Sequence, residues 1–351
     1  ILIVRLGALG DILHALPAVT GMRAALPEAT IGWLVEEKWS ELLAAEGTAG
    51  PEALSAQKPA VNLVHTVNTA RWRKRMLHPS TITEFRSKLK ETQRIGYDVA
   101  LDFQGAIKSA ILARWSGAAM KAGFVDPREP LARFLYSAKF SRSGDHVIEQ
   151  DHAMAAQALQ KYLGPIRLKL LAPKLPKDAS AEAWATAEIQ RLGIASFVMV
   201  NPGAGWGAKQ WPAERFGEVA KALARHNLKT LVNAGPGEEA LADAVVQASG
   251  GNAFAVRCSV GQLIALTRRT RLMIGGDTGP LHLAAAFGIP VVGLYGPTDP
   301  VRTGPFGTRA VVLRKPQSKT TFSHHRHADE GLLKISAEEV IAAARHLLGS
   351  R

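Results

Sequence analysis

Cys258 is the only cysteine in 351 residues. No intrachain disulfide can form, and such sparing use of cysteine fits a reducing cytoplasm. No apolar run reaches the roughly 18–20 residues of a membrane span. The longest, Leu281 to Tyr295, is broken at Gly288-Ile289-Pro290. The N-terminus opens on strand-like Ile1-Leu2-Ile3-Val4 and carries no signal-peptide pattern. G-x-G-x-x-G and G-x-x-x-x-G-K-[ST] are absent, so the chain has neither the dinucleotide nor the Walker fingerprint. C-x-x-C and H-E-x-x-H are absent too, and no metal is expected. The run Ser323-His324-His325-Arg326-His327 is too bunched to read as a ligand set. The seven tryptophans are scattered, which argues against a stacking platform for nucleic acid. Repeats, heptads and low-complexity tracts are also missing.

Charge of one sign is abundant. Forty-three Lys and Arg against thirty Asp and Glu give a net charge of +13. Such a chain is drawn to anionic partners: nucleic acid, phosphorylated substrates or an anionic membrane face. The densest cluster is Arg71-Trp72-Arg73-Lys74-Arg75, within a basic stretch that runs to Arg94. A solvated helix face accounts for part of that stretch, but the cluster is denser than such a face needs.

Apolar β-branched runs alternate with helical segments in both halves, the signature of βα units and parallel sheets. Strands are expected at 1–6, 31–35, 63–67 and 99–103, then at 197–201, 229–233, 253–257, 271–274, 291–295 and 310–313. Helices are expected at 12–25, 80–94 and 106–115, then at 213–225, 238–248, 260–267, 280–287 and 337–348. The fold class is α/β, with two Rossmann-like domains facing a central cleft. The first domain covers 1–164. A Pro/Lys-rich linker, 165–177, cannot be regular helix. The second domain covers 178–335, and a C-terminal helix, 336–351, could pack back on the first domain. In open α/β sheets the site lies at the C-terminal ends of the strands, so the loops after strands carry the interest.

Gly275-Gly276-Asp277-Thr278-Gly279-Pro280-Leu281-His282 follows such a strand and opens a helix. It reads as a glycine-lined turn with Asp277 or Thr278 as helix cap. Free N–H groups and the helix dipole at such a point favour phosphate. His282, in the first helical turn, adds a donor or a charge. Asp277 does not attract phosphate; it holds the turn or orients a sugar hydroxyl. The loop Asn201–Pro212 contains three glycines, two tryptophans and Lys209, whose compact ammonium suits a phosphate. Glu238 and Glu239 follow Gly235-Pro236-Gly237 and suit either ribose hydroxyls or simply a first helical turn. Asp11 follows Arg5-Leu6-Gly7-Ala8-Leu9-Gly10 and reads as a helix cap or as a general base at the mouth of a cleft.

Taken in order, these motifs resemble glycosyltransferase family 9. The resemblance rests on Arg5 to Ala18, Lys209-Gln210-Trp211-Pro212, Gly276 to His282 and Leu294-Tyr295-Gly296-Pro297-Thr298-Asp299-Pro300. It extends to Arg71-Trp72-Arg73-Lys74, Asp102 to Ala110, Arg128 to Ala132 and His152. It implies the GT-B fold and an inverting, metal-independent transferase that needs no cofactor. The implied donor is ADP-heptose and the implied acceptor the first Kdo of Kdo₂-lipid A, in the lipopolysaccharide inner core of a Gram-negative cell. Asp11 matches the family's base. Lys209, Thr278, Gly279 and His282 match the pyrophosphate site, with Asp277 in the same turn, and Glu238 or Glu239 the ribose site. Arg71, Arg73, Lys74, Arg128 and His152 match positions facing the acceptor or the donor sugar; Trp72 would pack on sugar or acyl surface. A monomer, peripheral at the cytoplasmic face of the inner membrane and drawn to its anionic surface, follows. Nucleic acid is not among the implied partners.

Two departures stand out. Ala8 replaces a serine common in the family's first loop, which removes a hydroxyl contact. The loop Asn201-Pro202-Gly203-Ala204-Gly205 is closer to family members that act on the first heptose. Heptosyltransferase II, or another GT-B enzyme with a different nucleotide sugar, therefore stays open, as does a nucleotide- or polyanion-binding protein without catalysis.

Overall fold

The computed structural model describes residues 1–50, 53–75, 78–321 and 327–349. The chain divides into two units, Ile1–Asp178 and Ala179–Arg351. Of the histidine run, residues 323–326 lie outside the described residues.

The first unit runs β1 (Leu2–Val4), α1 (Leu9–Ala25), β2 (Gly32–Glu36), β3 (Leu63–Val67), α2 (Thr69–Lys74), α3 (Pro79–Ile95), β4 (Val99–Asp102), α4 (Ile107–Trp115), β5 (Met120–Phe124), β6 (Ala138–Phe140) and α5 (Val147–Leu163). Its sheet is parallel throughout, in the order β3-β2-β1-β4-β5-β6. The central strands β1 and β4 are buried on both faces, which is why they read as continuous apolar runs. Helix α1 begins at Leu9, three residues before the apolar run that announced it. The segment expected to link the domains stays extended and belongs to this unit. Its Lys174 amide donates to Thr20 Oγ1 at 3.2 Å and its Lys177 amide to Ala56 O at 2.8 Å.

The second unit runs α6 (Ala179–Arg191), β7 (Phe197–Asn201), α7 (Ala213–Ala224), β8 (Lys229–Asn233), α8 (Glu239–Ala248), β9 (Ala253–Val256), α9 (Val260–Thr267), β10 (Met273–Gly276), α10 (Gly279–Ala286), β11 (Val291–Tyr295), α11 (Pro300–Thr303), β12 (Ala310–Arg314), α12 (Glu330–Leu333) and α13 (Ala337–Gly349). Its parallel sheet has the order β12-β11-β10-β7-β8-β9. Counted from each unit's first strand, the two sheets share one topology. The order reverses between β1 and β4 in the first and between β7 and β10 in the second. At such a reversal the loops diverge and leave a crevice for a ligand. Val340, Ala344 and Leu347 of α13 enter the core formed by β7, α7 and β11. That helix, considered above as a cover for the first domain, thus completes the second.

One local reading is corrected. Gly275 and Gly276 are strand residues, paired with Gly293 and Leu294, and are not part of the turn. Their lack of a side chain serves close packing: a Cβ would meet Asn201 O at 3.1 Å from Gly275 and Lys209 O at 2.9 Å from Gly276.

Candidate active site

In the second unit the switch-point loops bring Lys209, Asp277 and His282 together. The β7 loop closes with a single 3₁₀ turn, Gly207–Lys209, which points Lys209 toward the end of β10. Its Nζ lies 2.8 Å from Asp277 Oδ2 and also donates to Asp277 O at 3.0 Å. The Trp206 ring stands 4.8 Å below the same ammonium. A carboxylate only accepts hydrogen bonds, so the 2.9 Å contact between His282 Nε2 and Asp277 Oδ1 is donated by the histidine. Asp277 is buried, and burial alone pushes its carboxyl up. The His282 hydrogen bond and charge, together with Lys209, overcome that and hold it well below the usual carboxylate range. The open question about Asp277 is thereby answered: it is the counter-ion that positions two cationic or donor groups. Burial, and then the same carboxylate, raise the Tyr295 hydroxyl.

Thr278 occupies the N-cap of α10 but makes no side-chain cap bond, and Asp277 does not cap. Its Oγ1 instead accepts from Asn201 Nδ2 at 3.3 Å. Asn201 also bonds Gly203 O at 2.7 Å and accepts from Asn233 Nδ2 at 2.7 Å. This Asn233–Asn201–Thr278 chain ties the C-terminal ends of β8, β7 and β10 into one rigid floor. Neither asparagine stands out as a site residue from the sequence, although an Asn ending a buried strand ahead of a glycine loop is the available signal.

The two glutamates after Gly235-Pro236-Gly237 part company. Glu238 turns back to accept from the Gly235 amide at 3.0 Å. Its carboxylate also lies against Gly203, where a Cβ would come within 2.0 Å of Glu238 Oε2. It therefore faces the β7 loop. Glu239 interacts with its own amide and that of Gly237, which lowers its pKa; it serves the helix start.

In the first unit the equivalent crevice holds Asp11. Its Oδ2 accepts from the Ala8 amide at 2.9 Å and its Oδ1 pairs with Arg5 at 3.0 Å. The cap function is real and both oxygens are engaged, yet 40% of the side chain stays exposed to solvent. Arg5 is buried and also donates to Phe103 O. Burial disfavours its charge, but Asp11, Asp151 and Asp102 outweigh that and raise its pKa. Asp102 closes the β4 loop, accepting from the amides of Gln104 and Gly105 and from Ser109 Oγ and Tyr136 OH.

The acceptor candidates divide. Arg71 and Lys74, with Asn68, Ala70 and Arg75, line a cleft of about 420 Å³. Arg71 is also paired with Glu84. Arg73 is exposed and lies outside that lining, whereas Arg75, the last residue of the same basic cluster, joins it. The basic segment is helical at 69–74. Trp72 does not await a sugar: its ring meets Phe85 edge-on at 5.3 Å and packs against the core. Arg128 is exposed on the loop after β5. His152 sits on α5 beside the backbone of Leu168 and Lys169, and burial lowers its pKa; it lines no part of the basic cleft. Among the described residues no cluster of His, Cys, Asp and Glu could hold a metal ion, and no helix is long and apolar enough to cross a membrane.

Residues 82–332 match the model of glycosyltransferase family 9 (heptosyltransferase). Lipopolysaccharide heptosyltransferase 1 of Pseudomonas aeruginosa is 30% identical over 317 residues, 89% of this chain and 83% of that one. The enzyme of the same name from Escherichia coli K12 is 28% identical, over 90% of this chain and 94% of that one. The solved structure of E. coli heptosyltransferase WaaC with ADP superposes with a TM-score of 0.76 at 25% identity, over 99% of both chains. The two parallel sheets, their matched topology and these similarities establish a GT-B fold, and the chain belongs to glycosyltransferase family 9, the heptosyltransferases.

Proposed function

We propose that this enzyme moves L-glycero-D-manno-heptose from ADP-heptose to the first Kdo of Kdo₂-lipid A, in the lipopolysaccharide core. The second unit takes the nucleotide sugar and the first takes the acceptor. The observation that carries the reading is the Lys209–Asp277–His282 set at the switch point of the second sheet. It holds an ammonium and an imidazole beside the start of α10, where a pyrophosphate gains both charge and backbone donors. Two similar solved structures are described as WaaC with ADP and with ADP-2-deoxy-2-fluoro heptose. Glu238, turned toward the β7 loop, accepts from ribose hydroxyls.

Asp11 removes the proton of the attacking Kdo hydroxyl. The freed oxygen bonds to the anomeric carbon from the face opposite the ADP, the bond to ADP breaks and the configuration inverts. The leaving diphosphate gains a charge, which Lys209 and the α10 amides stabilise. Arg71, Lys74 and Arg128 meet acceptor carboxylates or phosphates. The test is mass spectrometry of the products from ADP-heptose with two acceptors, Kdo₂-lipid A and its monoheptosylated form. Heptose on the first alone supports the proposal. Transfer to the second alone moves the acceptor to the first heptose, and transfer to neither overturns it.

A further inference from the structure

The geometry points to residues 107–134 of the first unit as a membrane-docking surface, made to lie on an anionic lipid bilayer beside the acceptor site. The inference deepens the proposed function and rests on it in one respect: a lipid-anchored acceptor is presented at a bilayer. Pro130–Leu135 form a 3₁₀ helix. In that geometry side chains three apart eclipse one another. Leu131 and Phe134 therefore share a face, and they are 64% and 69% exposed, the two most exposed large hydrophobics among the described residues. The opposite face is fully used, since Ala132 and Leu135 pack with Ala110 and Tyr136. The exposure is thus a property of the fold and not of a frayed end.

Cations interleave with these apolar groups. The Arg133 guanidinium lies over the Phe134 ring, 4.9 Å from its centre; Arg128 is exposed on the same loop, and Ile107 and Lys108 are exposed at the start of α4, which Glu129 joins to that loop. Two carboxylates share this loop, and both are engaged: Asp126 pairs with Arg142 at 3.1 Å, and Glu129 accepts from the Ile107 amide at 2.7 Å. Apolar side chains among arginines and lysines suit the boundary between lipid head groups and acyl chains. There the rings and aliphatic groups enter while the cations meet lipid phosphates.

Position adds the second argument. The Glu129 amide donates to Gly105 O at 2.9 Å, so this segment is fastened to the loop after β4. That loop also supplies Phe103 O to Arg5, the residue paired with Asp11. A bilayer resting on Leu131 and Phe134 would thus lie on a segment joined, through the β4 loop and Arg5, to the carboxylate that must reach the acceptor's sugar. The Arg71–Arg75 segment is more densely basic, but no large apolar side chain there is exposed among the described residues.

The experiment is co-sedimentation of the full chain with phosphatidylcholine vesicles, with and without phosphatidylglycerol, comparing wild type with Leu131→Ser/Phe134→Ser. Wild type should bind the anionic vesicles, and the variant should partition at least about tenfold less. The variant should keep its thermal midpoint, since both side chains face solvent. It should also keep turnover on a deacylated, water-soluble acceptor while losing turnover on acceptor embedded in vesicles. Wild type that ignores anionic vesicles, or a variant that binds them equally well, overturns the inference. So does a change from dimer to monomer on substitution, which would make the patch a contact between copies. Vesicle binding is read without any sugar, so a wrong acceptor assignment leaves this result standing and shows itself only in the product assay.

Discussion

Asp277 accepts a hydrogen bond from His282 on one oxygen, at 2.9 Å, and an ion pair from Lys209 on the other, at 2.8 Å. A carboxylate in a site meant for pyrophosphate looks misplaced until those partners are seen. It places two groups that would otherwise roam or repel each other. Asp277→Asn should therefore weaken ADP binding although it removes a negative charge from the site. It should also destabilise the second unit by about 3 kcal/mol, because a buried pair loses one member. Calorimetry with ADP reads the first effect and chemical denaturation the second. The pH dependence has a definite sign. A carboxyl held below its unfolded value of 3.8 stabilises the fold above that pH, and this contribution fades as pH falls below it. The Asn variant should lack that component of acid unfolding. Tighter ADP binding by the variant would contradict the anchoring role.

Lys209→Ala should weaken ADP binding as well, and the loss should shrink as salt rises and screening grows. Equal ADP affinity in wild type and variant would remove the lysine from the nucleotide site.

Glu238 touches the space where a Gly203 side chain would be. A carboxylate at the end of a flexible chain can yield, so Gly203→Ala should fold with a nearly unchanged thermal midpoint. It should nonetheless displace Glu238 and reduce ADP affinity as much as Glu238→Gln does, while Glu239→Gln leaves affinity nearly intact. If Gly203→Ala binds ADP as well as wild type, Glu238 does not hold the ribose.

Asp11→Asn keeps a side chain of the same size and should preserve ADP affinity. It should lower kcat by about 10²–10⁴-fold, the usual worth of a general base. Wild-type kcat in this variant would reduce Asp11 to the helix cap its bond to Ala8 also makes it.

A pair remote from the crevices supplies a pH marker for the first unit. His65, buried in β3, lies 2.7 Å from Glu91 of α3 and 2.8 Å from the Tyr97 hydroxyl. The His65 hydrogen bond, aided by Lys88, lowers the Glu91 carboxyl to about 2. Its stabilising contribution is present above about pH 4.5 and should be lost as pH falls toward 2, more weakly than burial would give because the carboxylate is 43% exposed. Glu91→Gln should flatten that part of the acid-unfolding curve.

Much of this architecture was legible because parallel strands buried on both faces give unbroken apolar runs, as in Phe197–Asn201 and Val291–Tyr295. Strands β5 and β6 gave no such signal. Met120-Lys121-Ala122-Gly123-Phe124 mixes a lysine and a glycine into five residues, and Ala138–Phe140 is only three long. Helix α5 did carry apolar residues at helical spacing, from Val147 to Leu159, and was overlooked. Single loops gave up Lys209, Asp277 and His282 as candidates, since the glycines around them mark turns after strands. Their mutual geometry was not legible, because it depends on two loops 68 residues apart meeting at a strand order that reverses. The bonds that join Asn233, Asn201 and Thr278 were hidden for the same reason.

The basic cleft of the first unit yields the last prediction. Lys74 and Arg75 line it and are exposed, whereas Arg71 is partly committed to Glu84 and Arg73 lies outside the lining. Charge alone would treat Arg73, Lys74 and Arg75 as equivalent, so their different placement makes a sharper test of acceptor binding. An exposed ion pair contributes roughly 0.2–1 kcal/mol. Lys74→Ala/Arg75→Ala should therefore raise the acceptor KM by roughly three- to tenfold with ADP affinity unchanged, and Arg73→Ala should do less. The effect should be larger on acceptor with intact phosphates than on dephosphorylated acceptor, because cations in a cleft recognise charge and not sugar shape. Steady-state kinetics on the two acceptors decides it. Lost ADP affinity with an unchanged acceptor KM would move this cleft from the acceptor to the donor, and an Arg73→Ala effect as large as that of the double variant would mean that general surface charge governs encounter.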